Sequence, residues 1–188
     1  NEISTIHSLF ENGLELLHIR KPDFSKEEMK SFLSEIKSGY RQQLVLHSHH
    51  QLASEFGINR IHFTEKTRME MTDESLKNWK EKGFILSTSI HKMDAFEALS
   101  DVFDYTLFGP VFESISKPDY HSNIDFKKEL EHRTNNKTAL IALGGITSDK
   151  IKTALEYGFD DVALLGTIWN SNNPIENFKL CQQTDLSY

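Results

Sequence analysis

Apolar positions along the chain follow two alternating rhythms. Ile3, Ile6, Leu9 and Phe10 recur at helical spacing, and Gly13 ends that helix. Leu14 through Arg20 is a strand closed by Pro22, after which Ser25 and Glu28 stand at capping-box spacing. The helix they open carries Met29, Phe32, Leu33 and Ile36 and stops near Gly39. Leu44–His47 is the next strand, and Leu52, Ala53 and Phe56 mark a short helix ending at Gly57. Arg60–Phe63 is a very short strand, followed by a polar connection and a helix capped by Asp73 with Leu76 and Trp79. Phe84–Ser89 is a strand, Met93, Phe96 and Leu99 a helix, and Asp104–Leu107 a strand stopped by Gly109-Pro110. A polar helix around residues 125–133 precedes the buried run Thr138–Leu143, which ends in Gly144-Gly145. A helix starting at Ser148 or Asp149 runs to Gly158, Asp161–Leu165 is the last strand, and Pro174 opens the final helix.

Strict strand–helix alternation implies parallel strands joined by helical crossovers. The pattern contains seven strands and begins with a helix, whereas a (β/α)₈ TIM barrel needs eight strands. The expectation is one α/β domain over residues 1–188, a TIM barrel whose first strand falls before Asn1. An open doubly wound sheet is the competing fold, but no Gly-x-Gly-x-x-Gly run occurs.

Composition narrows the function classes. A net charge of -7 with interspersed charges argues against general nucleic-acid or membrane-surface binding. No apolar run is long enough to span a bilayer. Cys181 is the only cysteine, so no intrachain disulfide is expected and a cytoplasmic setting is the default.

The loop after Leu107 carries Ser114, Ser116 and Lys117, two hydroxyls and an ammonium suited to an anionic oxygen group. Barrels of this type bind phosphate at the loops after strands seven and eight, where Gly144-Gly145 and Gly166-Thr167 fall. A side chain there would keep backbone amides from approaching an anion. His18, His47, His62 and His91 lie in or just beyond strands, with His49 and His50 following His47. They are read as hydrogen-bonded or substrate-facing imidazoles. A metal site on His47 with His18 or His62 is the less favoured alternative, since no tight ligand motif supports it.

Leu17-His18-Ile19-Arg20, Phe108–Phe112, the Ser-x-Ser-Lys run, Ala142–Ile146 and Gly158–Ala163 resemble, in order, the thiamine phosphate synthase/TenI family. The resemblance implies a (β/α)₈ barrel that joins a hydroxymethylpyrimidine pyrophosphate to a thiazole phosphate, releasing pyrophosphate with Mg2+. It implies that Ser114, Ser116, Gly144, Gly145, Leu165 and Gly166 hold the thiazole phosphate. Arg20 and Lys117 would reach the pyrophosphate, and Ser89 would lie near the reacting pyrimidine. The implied partners are small phosphorylated substrates, with no nucleic acid and no membrane, and a homo-oligomer is compatible with the missing strand.

The departures lie on the pyrimidine and pyrophosphate side. His18 stands where the family has glutamine, and Pro22 replaces a lysine. His47-Ser48 replace Asn-Asp, whose aspartate binds magnesium, and Thr64–Thr67 replace Gly-Gln and a second acidic ligand. Glu65 is the one carboxylate left nearby for the metal. Alternative activities are a TenI-like thiazole phosphate tautomerase and a non-catalytic thiazole phosphate or thiamine phosphate binder.

Overall fold

The computed structural model describes residues 1–113 and 124–186, so Ser114, Ser116 and Lys117 lie outside the described residues. The chain forms two compact units, 1–88 and 89–188.

The first unit opens with α1 (Glu2–Glu11), capped by the Asn1 side chain, followed by β1 (Leu17–Ile19) and α2 (Lys26–Glu35). The expected capping box forms: Glu28 N donates to Ser25 Oγ at 3.2 Å and Ser25 N to the Glu28 carboxylate at 2.7 Å. A 3₁₀ segment (Ser38–Gln43) leads into β2 (Leu44–Leu46), α3 (Leu52–Phe56) and β3 (Arg60–Phe63). The polar connection after β3 is not irregular. It forms α4 (Glu65–Glu70), because the Thr64 hydroxyl accepts from Thr67 N and caps it. Thr72, not Asp73, then caps α5 (Asp73–Glu81) by accepting from Ser75 N. β4 (Ile85–Ile90) follows. β1, β2, β3 and β4 pair in parallel in that order. All three residues of β2 are buried, as expected for a parallel strand covered on both faces.

The second unit takes over at Ser89 within β4. It contains α6 (Met93–Glu97), β5 (Tyr105–Phe108), α7 (Phe126–Glu131), β6 (Ala139–Leu143), α8 (Ser148–Tyr157), β7 (Asp161–Ala163), α9 (Gly166–Trp169) and α10 (Pro174–Leu186). β5, β6 and β7 are parallel, with Leu107 against Ile141 and Ala142 against Val162. Its core centres on Phe108, whose ring meets Phe126 edge-on at 5.2 Å, with Phe159 beside Phe126 at 5.4 Å. Arg133 fastens the start of β6, pairing with Asp160 at 2.8 Å and donating to the Thr138 carbonyl at 3.0 Å. The Asp160 carboxylate in turn accepts from Leu140 N at 2.6 Å.

The loops after β5 and β6 interlock because two glycines stand between them. Val111 N donates to Leu143 O at 3.0 Å and Phe112 N to Gly144 O at 3.1 Å. Gly144 and Gly145 have φ of +96° and +68°, in the left-handed region that costs an L-residue about 1–2 kcal/mol. A Cβ on Gly145 would also lie 2.8 Å from the Phe112 carbonyl carbon. Gly57, the C-cap of α3, has the same φ of +68° but open space around it. Gly57→Ala is therefore expected to cost only about 1 kcal/mol, whereas Gly145→Ala should cost about 3 kcal/mol, strain and overpacking combined. Urea unfolding of both variants checks this. Equal losses would mean that the loops yield around a methyl group.

Candidate functional site

Strand register builds the first cluster. His18 pairs with Val45 and Ile19 with Leu46, and Leu46 pairs with Ile61. Continuing that register by one residue sets His47 beside His62, and His62 pairs with Ser87. Side chains alternate faces along a strand, so His47, two residues beyond Val45, shares the face of His18. Three imidazoles thus form a row across β1, β2 and β3, with the Ser87 hydroxyl of β4 at its end. His18 Nδ1 lies 2.8 Å from His47 Nε2, and the His47 and His62 rings stack at 4.0 Å. The ligand nitrogens of all three lie within 4.8 Å of one another. His62 is fully buried, and its Nδ1 lies 2.9 Å from Ser87 Oγ.

Burial sets the charge of this row. It lowers the His18 pKa to about 4, helped by the Arg60 charge. Burial likewise lowers His47 to about 3, with His18, Arg20 and His50 adding repulsion. His62 is pushed well below the ordinary histidine value by burial first, then by His47, His18, His50 and Arg20. The row is neutral at physiological pH, and each ring keeps a lone pair.

A second cluster gathers at the loops after β5, β6 and β7. Beyond the two backbone bonds joining the first two loops, the Thr167 hydroxyl of α9 donates to Ile146 O. Asn177 Nδ2 of α10 donates to Thr167 O at 2.9 Å and holds that turn in place. Lys150 Nζ of α8 donates to Gly145 O at 3.4 Å and lies 5.5 Å from the centre of the Phe112 ring. Gly166 opens α9, and Leu165 before it is 60% exposed, unusual for so large an apolar side chain.

The structure therefore brings Gly144, Gly145, Leu165 and Gly166 onto neighbouring, mutually bonded loops. In the first unit it brings His18 and His47 into direct contact, with Arg20 exposed just beyond β1. Ser48 follows His47, its buried hydroxyl without a hydrogen-bond partner among the described residues. Glu65 lies in the first turn of α4, 3.7 Å from the Arg68 guanidinium. Ser89 lies within β4, as the strand pattern over Phe84–Ser89 has it. Sequence reasoning named Thr167 beside Gly166 but missed Lys150. The signal for Lys150 was its place about one turn beyond a glycine-ended strand, where a cation can reach back to the loop. Sequence reasoning named His62 only as an alternative metal ligand with His47, and the odd–even parity of short parallel strands places it there.

Magnesium does not fit the donors assembled here. That ion takes oxygen ligands in octahedral geometry, usually from one or two carboxylates. The cluster among the described residues offers three imidazole nitrogens, and Glu65 already faces a guanidinium.

The lowered pKa values fix how stability responds to acid. In the unfolded chain each imidazole takes up its proton near pH 6.5; in the folded chain His18 does so only near 4 and His47 near 3. Between those values the unfolded state binds more protons, so the stability present above pH 6.5 is lost as pH falls through the window. His18 alone should account for a loss on the order of 2 kcal/mol between pH 7 and 5. Urea unfolding across that range, with His18→Gln as control, measures it. A wild-type slope no steeper than that of the variant would show that His18 protonates normally in the folded protein.

Comparison with known proteins bears on the family and the fold. Residues 1–168 match the family described as thiamine monophosphate synthase. The thiamine-phosphate synthase of Caldicellulosiruptor saccharolyticus is 25% identical over 183 residues, which cover 95% of this chain and 81% of the relative. The crystal structure of a thiamine phosphate pyrophosphorylase from Bacteroides thetaiotaomicron is similar over 100% of this chain and 92% of its own, with a TM-score of 0.78 and 26% identity. That of Pyrococcus furiosus, at 16% identity, shares the fold with a TM-score of 0.77 over 100% of this chain and 90% of its own. The fold is thus the TIM-barrel type, with seven strands among the described residues where a closed barrel has eight. With the match running from the first residue through Ile168, the chain belongs to the thiamine monophosphate synthase family.

Proposed function

We propose that this chain is a thiamine phosphate synthase of thiamine biosynthesis, a transferase acting on two small phosphorylated substrates. The observation that carries this reading is the set of interlocked loops after β5, β6 and β7. There Gly144 and Gly145 let the loop after β5 pack directly against their backbone, Gly166 opens α9, and Thr167 ties one loop to the next. Backbone amides and a nearby cation are what a monophosphate needs, and Lys150 is that cation among the described residues. Ser114 and Ser116 would add hydroxyl donors from the loop after β5. The absence of any described helix long and apolar enough to cross a membrane accords with a cytoplasmic site of action.

In the reaction, the bond between the pyrimidine methylene carbon and the pyrophosphate oxygen breaks, and its electron pair leaves with pyrophosphate. The thiazole ring supplies the electron pair of the new bond to the pyrimidine cation. Arg20 and Lys117 would offset the charge that accumulates on the leaving group, and Ser89 would position the pyrimidine. The unpartnered Ser48 hydroxyl and the neutral His18 and His47 are suited to hydrogen bonding an uncharged ring.

The test is pyrophosphate release from hydroxymethylpyrimidine pyrophosphate and thiazole phosphate together, across a panel of divalent metals. Product formation requiring both substrates is expected. Arg20→Ala should lower kcat about a hundredfold, the equivalent of about 3 kcal/mol of lost charge stabilisation. Lys150→Ala should instead raise the KM for thiazole phosphate about tenfold, since it removes one charge-assisted hydrogen bond. Tight thiazole phosphate binding without turnover would identify a binder, and isomerisation of a thiazole phosphate carboxylate would identify a tautomerase.

A further inference from the structure

The imidazole row places three polar rings against one another, with their ligand nitrogens within 4.8 Å of one another. Three ring systems with polar nitrogens are desolvated side by side, at positions where leucine or valine would bury more cheaply. His18 Nδ1 lies 2.8 Å from His47 Nε2, a bond that holds a single proton between two rings. The arrangement fits a different occupant. Imidazole nitrogen is a donor preferred by zinc, cobalt, nickel and copper. Zinc–nitrogen bonds of about 2.0–2.1 Å in a tetrahedron place ligand nitrogens about 3.3 Å apart. The three nitrogens already lie within 4.8 Å, so small ring rotations, including slight opening of the His18–His47 contact, would reach that spacing.

We propose that His18, His47 and His62 form a binding site for one divalent transition-metal ion of the zinc class, with a fourth position open to water or an anionic oxygen ligand.

The surroundings are built as such a site requires. Ser87 Oγ lies 3.4 Å from Ile61 O and 2.9 Å from His62 Nδ1. Donating to that carbonyl, the hydroxyl accepts from Nδ1–H, which selects the His62 tautomer whose Nε2 carries the lone pair. A hydrogen bond to the non-ligating nitrogen is the usual outer support of a metal-bound histidine. His50 Nε2–H donates to the His62 carbonyl at 3.1 Å and steadies the backbone on which that ligand stands. His47 N donates to Ile19 O at 3.2 Å, continuing the β1–β2 pairing up to the ligands themselves. Two ligands on strands and one just past a strand end give a more rigid set than three loop residues would. Three neutral ligands leave the ion's charge uncompensated, which favours an anionic oxygen at the open position. Nothing in this site depends on which reaction the chain catalyses.

The experiment uses the full chain, without a histidine tag and stripped with a chelator, titrated with Zn2+ by calorimetry and with Co2+ by visible absorption. One equivalent of each should bind, and bound Co2+ should show the intense bands of a low-coordinate site. His18→Gln and His47→Gln, at half-buried positions that tolerate an amide, should weaken binding at least a hundredfold, and circular dichroism confirms that both remain folded. Ser87→Ala should weaken it about tenfold to a hundredfold while leaving the stoichiometry at one. His49→Ala, which removes an imidazole outside the row, should bind as wild type does. No Zn2+ binding by wild type would overturn the proposal. So would unchanged binding in folded His18→Gln and His47→Gln, or loss confined to His49→Ala, which would assign the ion to another place.

Discussion

In a parallel pair both strands end in the same direction, and the slanted hydrogen bonds fix which residue lies beside which. In the first unit, that register carries His18, His47, His62 and Ser87 into one row, although His18 and His47 lie 29 residues apart in the chain. A slip of one residue in any strand would turn its histidine to the opposite face. In the second unit, the register of β5 against β6 brings Gly109 beside Leu143 and Pro110 beside Gly144, so that the loop beyond one strand can bond to the loop beyond the next. Both candidate sites are consequences of backbone pairing before any side-chain chemistry enters.

The two clusters manage polarity in opposite ways. The loops after β5, β6 and β7 use bare backbone, a lysine and a threonine, which suit a charged oxygen ligand near solvent. The histidine row uses burial, which strips its rings of charge and leaves them as neutral donors. Such a row is a poor partner for magnesium and a good one for a borderline-soft ion or a neutral heterocycle. His18 and His47 thus give the first unit nitrogen donors, whereas the second unit offers a lysine and a hydroxyl around its glycines.

How much the sequence could say differs by element. Ser25 with Glu28, Gly57 and Gly158 specify helix ends through local geometry alone, and each behaves as a helix terminus in the structure. The polar stretch after Phe63 was illegible as a helix because α4 has no buried residue. Its order comes from the Thr64 cap, which propensity alone does not weigh heavily. The α9 turn was missed because four residues are too few to show a helical period.

What the sequence by itself determined is the alternation of strands and helices, the α/β class, and the family to which Gly109-Pro110, Gly144-Gly145 and Gly158–Ala163 belong. Those features are local, because a glycine in a left-handed turn or an apolar run between two breakers has the same meaning wherever the chain goes. The tertiary structure decided which distant residues become neighbours. That His62 joins His18 and His47, and that Lys150 and Thr167 return to the Gly145 loop, depends on strand register and helix placement, which are set by pairing between segments far apart in the chain. The charge state of the histidines was likewise undecidable from composition, because it follows from desolvation, and desolvation exists only once the strands have closed around them.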